Sequence, residues 1–249
     1  MKILAALTFF TRLPFWRITQ IPKESYKNVV AYWSLTGWLT AGLSVLMLYV
    51  ASLILPFEIA IILAILTRLL ITGCLHEDGL ADFLDGFGGG RDREGTLAIM
   101  KDSHIGSYGV IGLILYFLTL YLLLDSLPLE IAGSAILAGD PFAKGVSSMI
   151  INRLPYARKE EEAKNKTVYS RMTPTEYAIS FVFAIAALFW LPEKIYLFAA
   201  VLPIVVWFIL TTMMKRKING YTGDCCGALF LLCELSFYLG IAIIQFKFI

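Results

Sequence analysis

Ile105-Gly-Ser-Tyr-Gly-Val-Ile-Gly-Leu-Ile-Leu-Tyr-Phe-Leu-Thr-Leu-Tyr-Leu-Leu-Leu124 runs for 20 residues without a charged side chain. A helix of about 20 apolar residues rises far enough to cross the hydrocarbon core of a bilayer. Six further stretches, 29–55, 57–75, 129–151, 177–191, 195–214 and 227–246, have the same apolar character. They are continuously apolar and do not alternate, so they read as helices and not as barrel strands. The composition of the whole chain agrees. Its 249 residues are 58% hydrophobic and 16% charged, with a mean hydropathy of +0.74. A water-soluble domain is about half apolar and about a quarter charged. These values exclude an ordinary soluble enzyme, a nucleic-acid binder and a disordered chain. The expected fold is an all-α polytopic membrane protein with about seven transmembrane helices, forming one integral-membrane domain over residues 1–249.

At the N-terminus, Lys2 precedes a short apolar run, Ile3 to Phe10, that Arg12 interrupts. No small-residue cleavage site follows, so the run reads as a short interfacial or re-entrant helix and not as a signal peptide. The cysteines, Cys74, Cys225, Cys226 and Cys233, show neither disulfide nor zinc spacing. Lysines and arginines are distributed unevenly about the proposed spans. Seventeen fall on one side: Lys2, Arg12, Arg17, Lys23 and Lys27 before the first span, then the loops carrying Arg91 to Lys101, Arg153 to Arg171 and Lys215 to Lys217. Lys194 and Lys247 fall on the other. The positive-inside rule places the N-terminus and the long loops in the cytoplasm and the C-terminus outside, in the cytoplasmic (inner) membrane.

The polar residues are concentrated on that cytoplasmic side. In Gly73-Cys-Leu-His-Glu-Asp-Gly-Leu-Ala-Asp-Phe-Leu-Asp-Gly86, Asp78, Asp82 and Asp85 are spaced i, i+4, i+7. On a helix they share an arc of about 60°. Carboxylates so placed repel one another unless a cation neutralises them, and hard oxygen ligands of this kind suit Mg²⁺. A solvated acidic surface is the plainer alternative. Gly86, Gly88, Gly89 and Gly90 lead to Arg91; such a loop either brings backbone N–H groups to a phosphate or is only a flexible turn. Lys101 is a cation for a diphosphate. Asp102 joins the metal set or acts as a base, Ser103 caps the next helix or meets substrate, and His104 is a proton shuttle or a surface residue. Asp224, at the start of the last span, is either a metal ligand or a helix cap. Arg68, Asp140, Lys144 and Glu234 lie inside spans; Asp140 and Lys144 pair at i, i+4, and Arg68 needs Asp140 or Glu234 as its counter-charge.

Five blocks, in order along the chain, resemble the cobalamin synthase family of adenosylcobinamide-GDP ribazoletransferases. They are Thr11-Arg-Leu-Pro14, Gly73 to Gly86, Ile99-Met-Lys-Asp-Ser103 with Gly106 and Gly109, Leu154-Pro-Tyr-Ala-Arg158, and Thr222-Gly-Asp-Cys-Cys-Gly-Ala228 with Glu234. The chain departs from the family in having Lys159-Glu-Glu-Glu162 where glycines are usual, and Lys144 where arginine is common. The resemblance implies transfer of α-ribazole, or its 5′-phosphate, onto adenosylcobinamide-GDP with release of GMP and with Mg²⁺ as cofactor. Mapped onto this sequence, Asp78, Asp82, Asp85 and Asp224 hold metal. Asp82, Lys101, Asp102 and His104 are the catalytic candidates, with Asp82 expected to be indispensable. Arg12, Arg91, Gly88, Gly89, Ser103, Arg153 and Arg158 bind substrate. The lipid bilayer is the other partner, nucleic acid is not one, and homo-oligomerisation is left open. Two further readings explain part of the pattern. A CDP-alcohol-type phosphotransferase uses aspartate clusters too, but with a longer spacing. An ion-coupled transporter would use Arg68, Asp140, Lys144 and Glu234 as a relay.

The charge asymmetry makes topology testable. A reporter fused after Ile249 is expected to be active only outside the cytoplasm, and activity confined to the cytoplasm would reverse the assignment.

Overall fold

A computed structural model describes residues 1–158 and 168–248. Lys159, Lys164 and Lys166 of the basic count, Glu160 to Glu162, and Ile249 lie outside the described residues. Among those described, the regular structure is helical apart from one isolated bridge between Tyr156 and Tyr221. The N-terminal apolar run forms α1 (Lys2–Phe10). A 3₁₀ stretch, Lys23–Tyr32, leads into α2 (Trp33–Ser52), and α3 (Phe57–Thr72) returns after a four-residue turn ending at Pro56. α4 (Leu75–Gly89) then leaves α3 at an angle of 89°. The remaining helices are α5 (Arg93–Lys101), α6 (Ser107–Asp125), α7 (Leu129–Ser148), α8 (Ile150–Arg153), α9 (Pro174–Ala187), α10 (Val201–Ile218) and α11 (Gly223–Phe248).

The bend between α3 and α4 has a local cause. Gly73 (φ 64°) and Cys74 (φ 58°) both take the left-handed conformation, which ends α3 in the manner of a C-cap and starts a new helix in another direction. A side chain at Gly73 would collide with that of Arg12. α9 starts on a capping box in which Thr173 and Glu176 satisfy each other's backbone N–H groups, with Pro174 at the first helical position.

α7 occupies the centre. Every residue from Ala138 to Ser148 is buried, against α2, α9 and α11. This explains its mixture of small residues with Asp140 and Lys144: it faces protein and not lipid. Among the described residues, four helical runs are long and apolar enough to cross a membrane: Lys23–Ser52, Ser107–Asp125, Lys194–Ile218 and Gly223–Phe248. The bent pair α3/α4 makes a fifth if taken as one span. The count of about seven crossing helices is therefore not reproduced by length and composition. α7 carries too much polarity, and the apolar run Pro174–Trp190 is too short.

The charges inside the bundle close on one another. Arg68 Nη1 donates to Glu234 Oε2 at 2.5 Å and Nη2 to the Tyr116 hydroxyl at 2.7 Å, with Glu77 Oε1 at 3.5 Å. Tyr238 donates to the other oxygen of Glu234 at 2.8 Å. Glu234 is thus the counter-charge of Arg68. Asp140 pairs with Lys144 at 2.6 Å, as its i, i+4 spacing predicts, and Thr40 bonds to both. Each buried cation thus has at least one carboxylate partner, as a static ionic core needs.

Removing one partner strands a buried charge, at a cost of about 3–5 kcal/mol. Glu234→Ala is therefore expected to lower the unfolding midpoint in detergent sharply, and Glu234→Gln, which keeps an acceptor for Arg68, should lose less. An unchanged midpoint for Glu234→Ala would show that the pair does not hold the bundle together.

Candidate active site

The site forms where α4 crosses the start of α11. A Cβ on Gly79 would meet Asp224 Cα and its carbonyl oxygen at 3.1 Å, so glycine lets the two backbones approach a few tenths of an ångström closer than a side chain would. This contact joins the aspartate block to the Thr222–Ala228 block, more than a hundred residues later. Thr222 Oγ1 accepts from the Cys225 backbone N–H at 3.3 Å. Thr222 therefore serves the helix start, and Asp224 is not required as its cap.

The Leu154–Arg158 block is tied to the same place by backbone bonds. Ala157 N–H donates to the Tyr221 carbonyl at 2.8 Å, and Tyr221 N–H donates to the Pro155 carbonyl at 3.0 Å. Arg93 clamps this junction, donating to the carbonyls of Ile218 at 3.0 Å and Ala157 at 2.6 Å. Lys217 donates to the Gly90 carbonyl at 2.7 Å, and Arg158 Nη2 to the Leu97 carbonyl at 3.0 Å.

Between these elements opens a cleft of about 800 Å³, its mouth included. Asp78, Asp224 and Arg158 line it together with Phe9, Phe10, Trp33, His76, Tyr156 and Tyr169. Burial pushes the Tyr156 hydroxyl up to about 12, so it stays a neutral donor. Two carboxylates, one guanidinium and an aromatic wall thus share one space.

The other predicted residues are placed as follows. Asp82 lies one turn beyond Asp78 on the same face of α4. Asp85 is buried, and its two oxygens accept from the backbone N–H groups of Gly106 at 2.7 Å and Gly109 at 2.9 Å. It thereby caps α6, the task expected of Ser103. Among the described residues, no three His, Cys, Asp or Glu side chains are grouped to hold a metal ion. The reason is axial distance: a rise of about 1.5 Å per residue separates Asp85 from Asp78 by roughly 10 Å along the helix. The glycine run does not form a loop either. Gly86, Gly88 and Gly89 are the last turns of α4, where Gly86 packs on α5 and Gly88 on Tyr108.

Arg91 is exposed beyond α4, Lys101 is exposed at the end of α5, and Asp102, Ser103 and His104 are exposed between α5 and α6. Asp102 accepts from the His104 backbone N–H at 3.0 Å and contacts its ring Nδ1 at 2.7 Å, and these bonds lower the carboxyl's pKa. Arg12 lines an adjoining groove that shares Phe9 and Leu75 with the cleft. Arg153 lies over the rings of Trp207 and Phe208 on α10. None of these seven residues lines the cleft itself. The aromatic wall was not foreseen, because Phe10, Trp33 and Tyr169 lie outside every polar block and read as ordinary apolar residues.

Fold and cleft together define a polytopic helical membrane protein that gathers carboxylates and a guanidinium at one end of an apolar bundle. The family model described as Cobalamin-5-phosphate synthase matches residues 2–242. The chain belongs to that family, whose curated relatives are transferases. An adenosylcobinamide-GDP ribazoletransferase of Shewanella frigidimarina (strain NCIMB 400) is 38% identical over 240 residues, 94% of this chain and 91% of its own. One of Leptospira interrogans serogroup Icterohaemorrhagiae serovar copenhageni is 36% identical over 252 residues, 97% and 95% of the two chains. One of Shewanella sp. (strain W3-18-1) is 35% identical over 244 residues, 97% and 93%. No solved structure matches the chain.

Asp85 and Asp82 should separate experimentally. Asp85→Ala removes a charged acceptor from two backbone N–H groups and is expected to cost about 1–3 kcal/mol of stability. Asp82→Ala, at a half-buried position on the same helix, should lower the unfolding midpoint less than Asp85→Ala does. Equal midpoints for both variants would contradict the capping role.

Proposed function

We propose that this chain joins adenosylcobinamide-GDP to α-ribazole, or to α-ribazole 5′-phosphate, and releases GMP at the cytoplasmic face of the inner membrane. The observation that carries this reading is the convergence of Asp78, Arg158 and Asp224, from three separate sequence blocks, on one cleft. The acceptor's hydroxyl oxygen forms a bond to the phosphorus nearer the corrinoid. The phosphorus–oxygen bond to GMP breaks, and GMP leaves with the electron pair. A transfer of this kind depends on in-line positioning and on cations for the developing charge.

The residues fit a divalent cation. Asp78 and Asp224 present hard oxygen donors to one space, and Mg²⁺ commonly takes one or two carboxylates and completes its shell with water and substrate phosphates. Asp78 and Asp224 would hold it directly, and Asp82, one turn along α4, would reach it through a coordinated water. When bound, Mg²⁺ supplies charge neutralisation on the phosphate oxygens. Arg158 meets the diphosphate from within the cleft and Arg12 from the adjoining groove. Arg91 and Lys101, on exposed segments flanking α4 and α5, add positive potential. Asp102 and His104, bonded to each other outside the cleft, are the proton-handling pair of this proposal and would receive the hydroxyl's proton through water, and Gly88, Gly89, Ser103 and Arg153 are its outer substrate contacts.

Incubating the purified chain in bilayers with both substrates should yield GMP and cobalamin. Asp82→Ala is expected to abolish that turnover while still inserting, and excess chelator to do the same to the parent chain. Full activity in either case would defeat the metal assignment. A charge-assisted hydrogen bond is worth about 1.5–3 kcal/mol, so Arg158→Ala should raise KM for adenosylcobinamide-GDP about 10- to 150-fold. Arg12, Lys101 and Arg91, neutralised in turn, should show smaller effects in that order. An unchanged KM for Arg158→Ala would remove it from the diphosphate site.

A further inference from the structure

Two buried nitrogen atoms, on residues that line the cleft, have no work in phosphoryl transfer. Trp33 is 1% exposed and His76 2%, and neither Trp33 Nε1 nor His76 Nε2 has a hydrogen-bond partner among the described residues. Buried polar groups left unpaired are costly, and in native proteins nearly all of them meet a partner. Both residues line the cleft that carries Asp78, Asp224 and Arg158. Their rings are held in place by stacking. Phe10 and Trp33 are nearly parallel, 12° apart with centroids at 5.2 Å, and Trp33 and His76 are 25° apart at 5.6 Å. Phe230 closes on His76 edge-on at 4.9 Å. The cleft therefore has a polar, accessible side and a rigid aromatic side with two fixed nitrogens.

We propose that this aromatic side is the subsite for a planar nitrogen heterocycle, and that its occupant is the benzimidazole base of the acceptor nucleoside. The inference rests on the ribazole-transfer reading above. Both substrates carry a heteroaromatic base, and the number of polar atoms decides between them. Guanine has a carbonyl, an amino group, a ring N–H and ring-nitrogen acceptors, most of which would be buried without partners against a wall offering two nitrogens. The benzimidazole of α-ribazole has one ring-nitrogen lone pair and otherwise apolar edges. The Trp33 N–H satisfies that lone pair, and His76 Nε2 meets a ribose hydroxyl. The base then meets the edge of the Trp33 ring, in the plane of its N–H, with its ribose directed toward Asp78 and Arg158, where the phosphate chemistry is placed.

The test measures binding of each substrate separately to the full chain in lipid nanodiscs. Trp33→Phe and His76→Phe keep an aromatic ring in the stack and remove the nitrogens. Each is expected to weaken α-ribazole binding about tenfold and to leave adenosylcobinamide-GDP binding within about twofold. Retained affinity for the second substrate also reports that the variant is folded. Loss confined to adenosylcobinamide-GDP would overturn the assignment in favour of guanine. Unchanged binding of both would overturn the subsite and leave the nitrogens to buried water. The parent chain provides a check that needs no variant: free 5,6-dimethylbenzimidazole should compete with α-ribazole and not with adenosylcobinamide-GDP, and absence of competition overturns the proposal. If the parent chain releases no GMP yet binds α-ribazole with this pattern, the transfer reading fails and the subsite stands. GMP release together with unaltered variants sinks the subsite alone.

Discussion

A guanidinium near the middle of an apolar helix constrains everything around it. Arg68 cannot stay charged inside the bundle unless other elements bring it acceptors, because an isolated buried ion is far more costly than the packing it interrupts. α11 supplies Glu234, α6 supplies Tyr116, and α4 supplies Glu77. Three helices are thereby oriented about one side chain. The sharp bend that Gly73 and Cys74 allow serves this pairing: it turns α4 back across the bundle, so that Glu77 approaches the same guanidinium. Once it does, the next residue, Asp78, is on the surface that becomes the cleft.

The ionic core sets the direction of α4, and small residues set its distance from α11. Gly79 against Asp224 and Gly227 against His76 form a matched pair of close contacts, each with a backbone where a side chain would otherwise stand. In a bilayer, helices gain little from burying apolar surface against one another, so close backbone packing carries a larger share of association. The contact that holds the helices together is also the one that places two carboxylate-bearing blocks side by side.

Much of this arrangement is legible in the sequence, and the parts that are not have physical reasons. Continuous apolar runs identify the helices, and charge pairing inside them is readable from spacing, as for Asp140 and Lys144. Helical periodicity correctly puts Asp78, Asp82 and Asp85 on one face, but angular position says nothing about axial reach. Asp85 therefore looked like a third ligand and is a cap for α6. A glycine run reads equally as a loop or as a tightly packed helix until its neighbours are known. Here Met100, Thr96 and Tyr108 fill the space beside it. The aromatic wall is invisible for another reason. Phe10, Trp33 and His76 belong to different elements, and only packing reveals that two of their nitrogens lack partners.

The acidic residues of α4 show how one short helix divides its work. Glu77 points toward Arg68 inside the bundle, Asp78 toward the cleft, and Asp85 toward the N-terminus of α6. A step of about 100° separates the first two roles, and roughly 10 Å of axial rise separates the last two. Each carboxylate answers a different local demand: a buried cation, an open polar space, a pair of orphan N–H groups. A change at Glu77 or Asp85 therefore disturbs Asp78 and Asp82 indirectly, through the pose of the helix that carries them. Loss of activity on mutating any acidic residue here does not by itself mark that residue as a ligand. Stability distinguishes the cases, because the carboxylates that hold α4 in place must cost folding energy when removed, and those that face substrate need not.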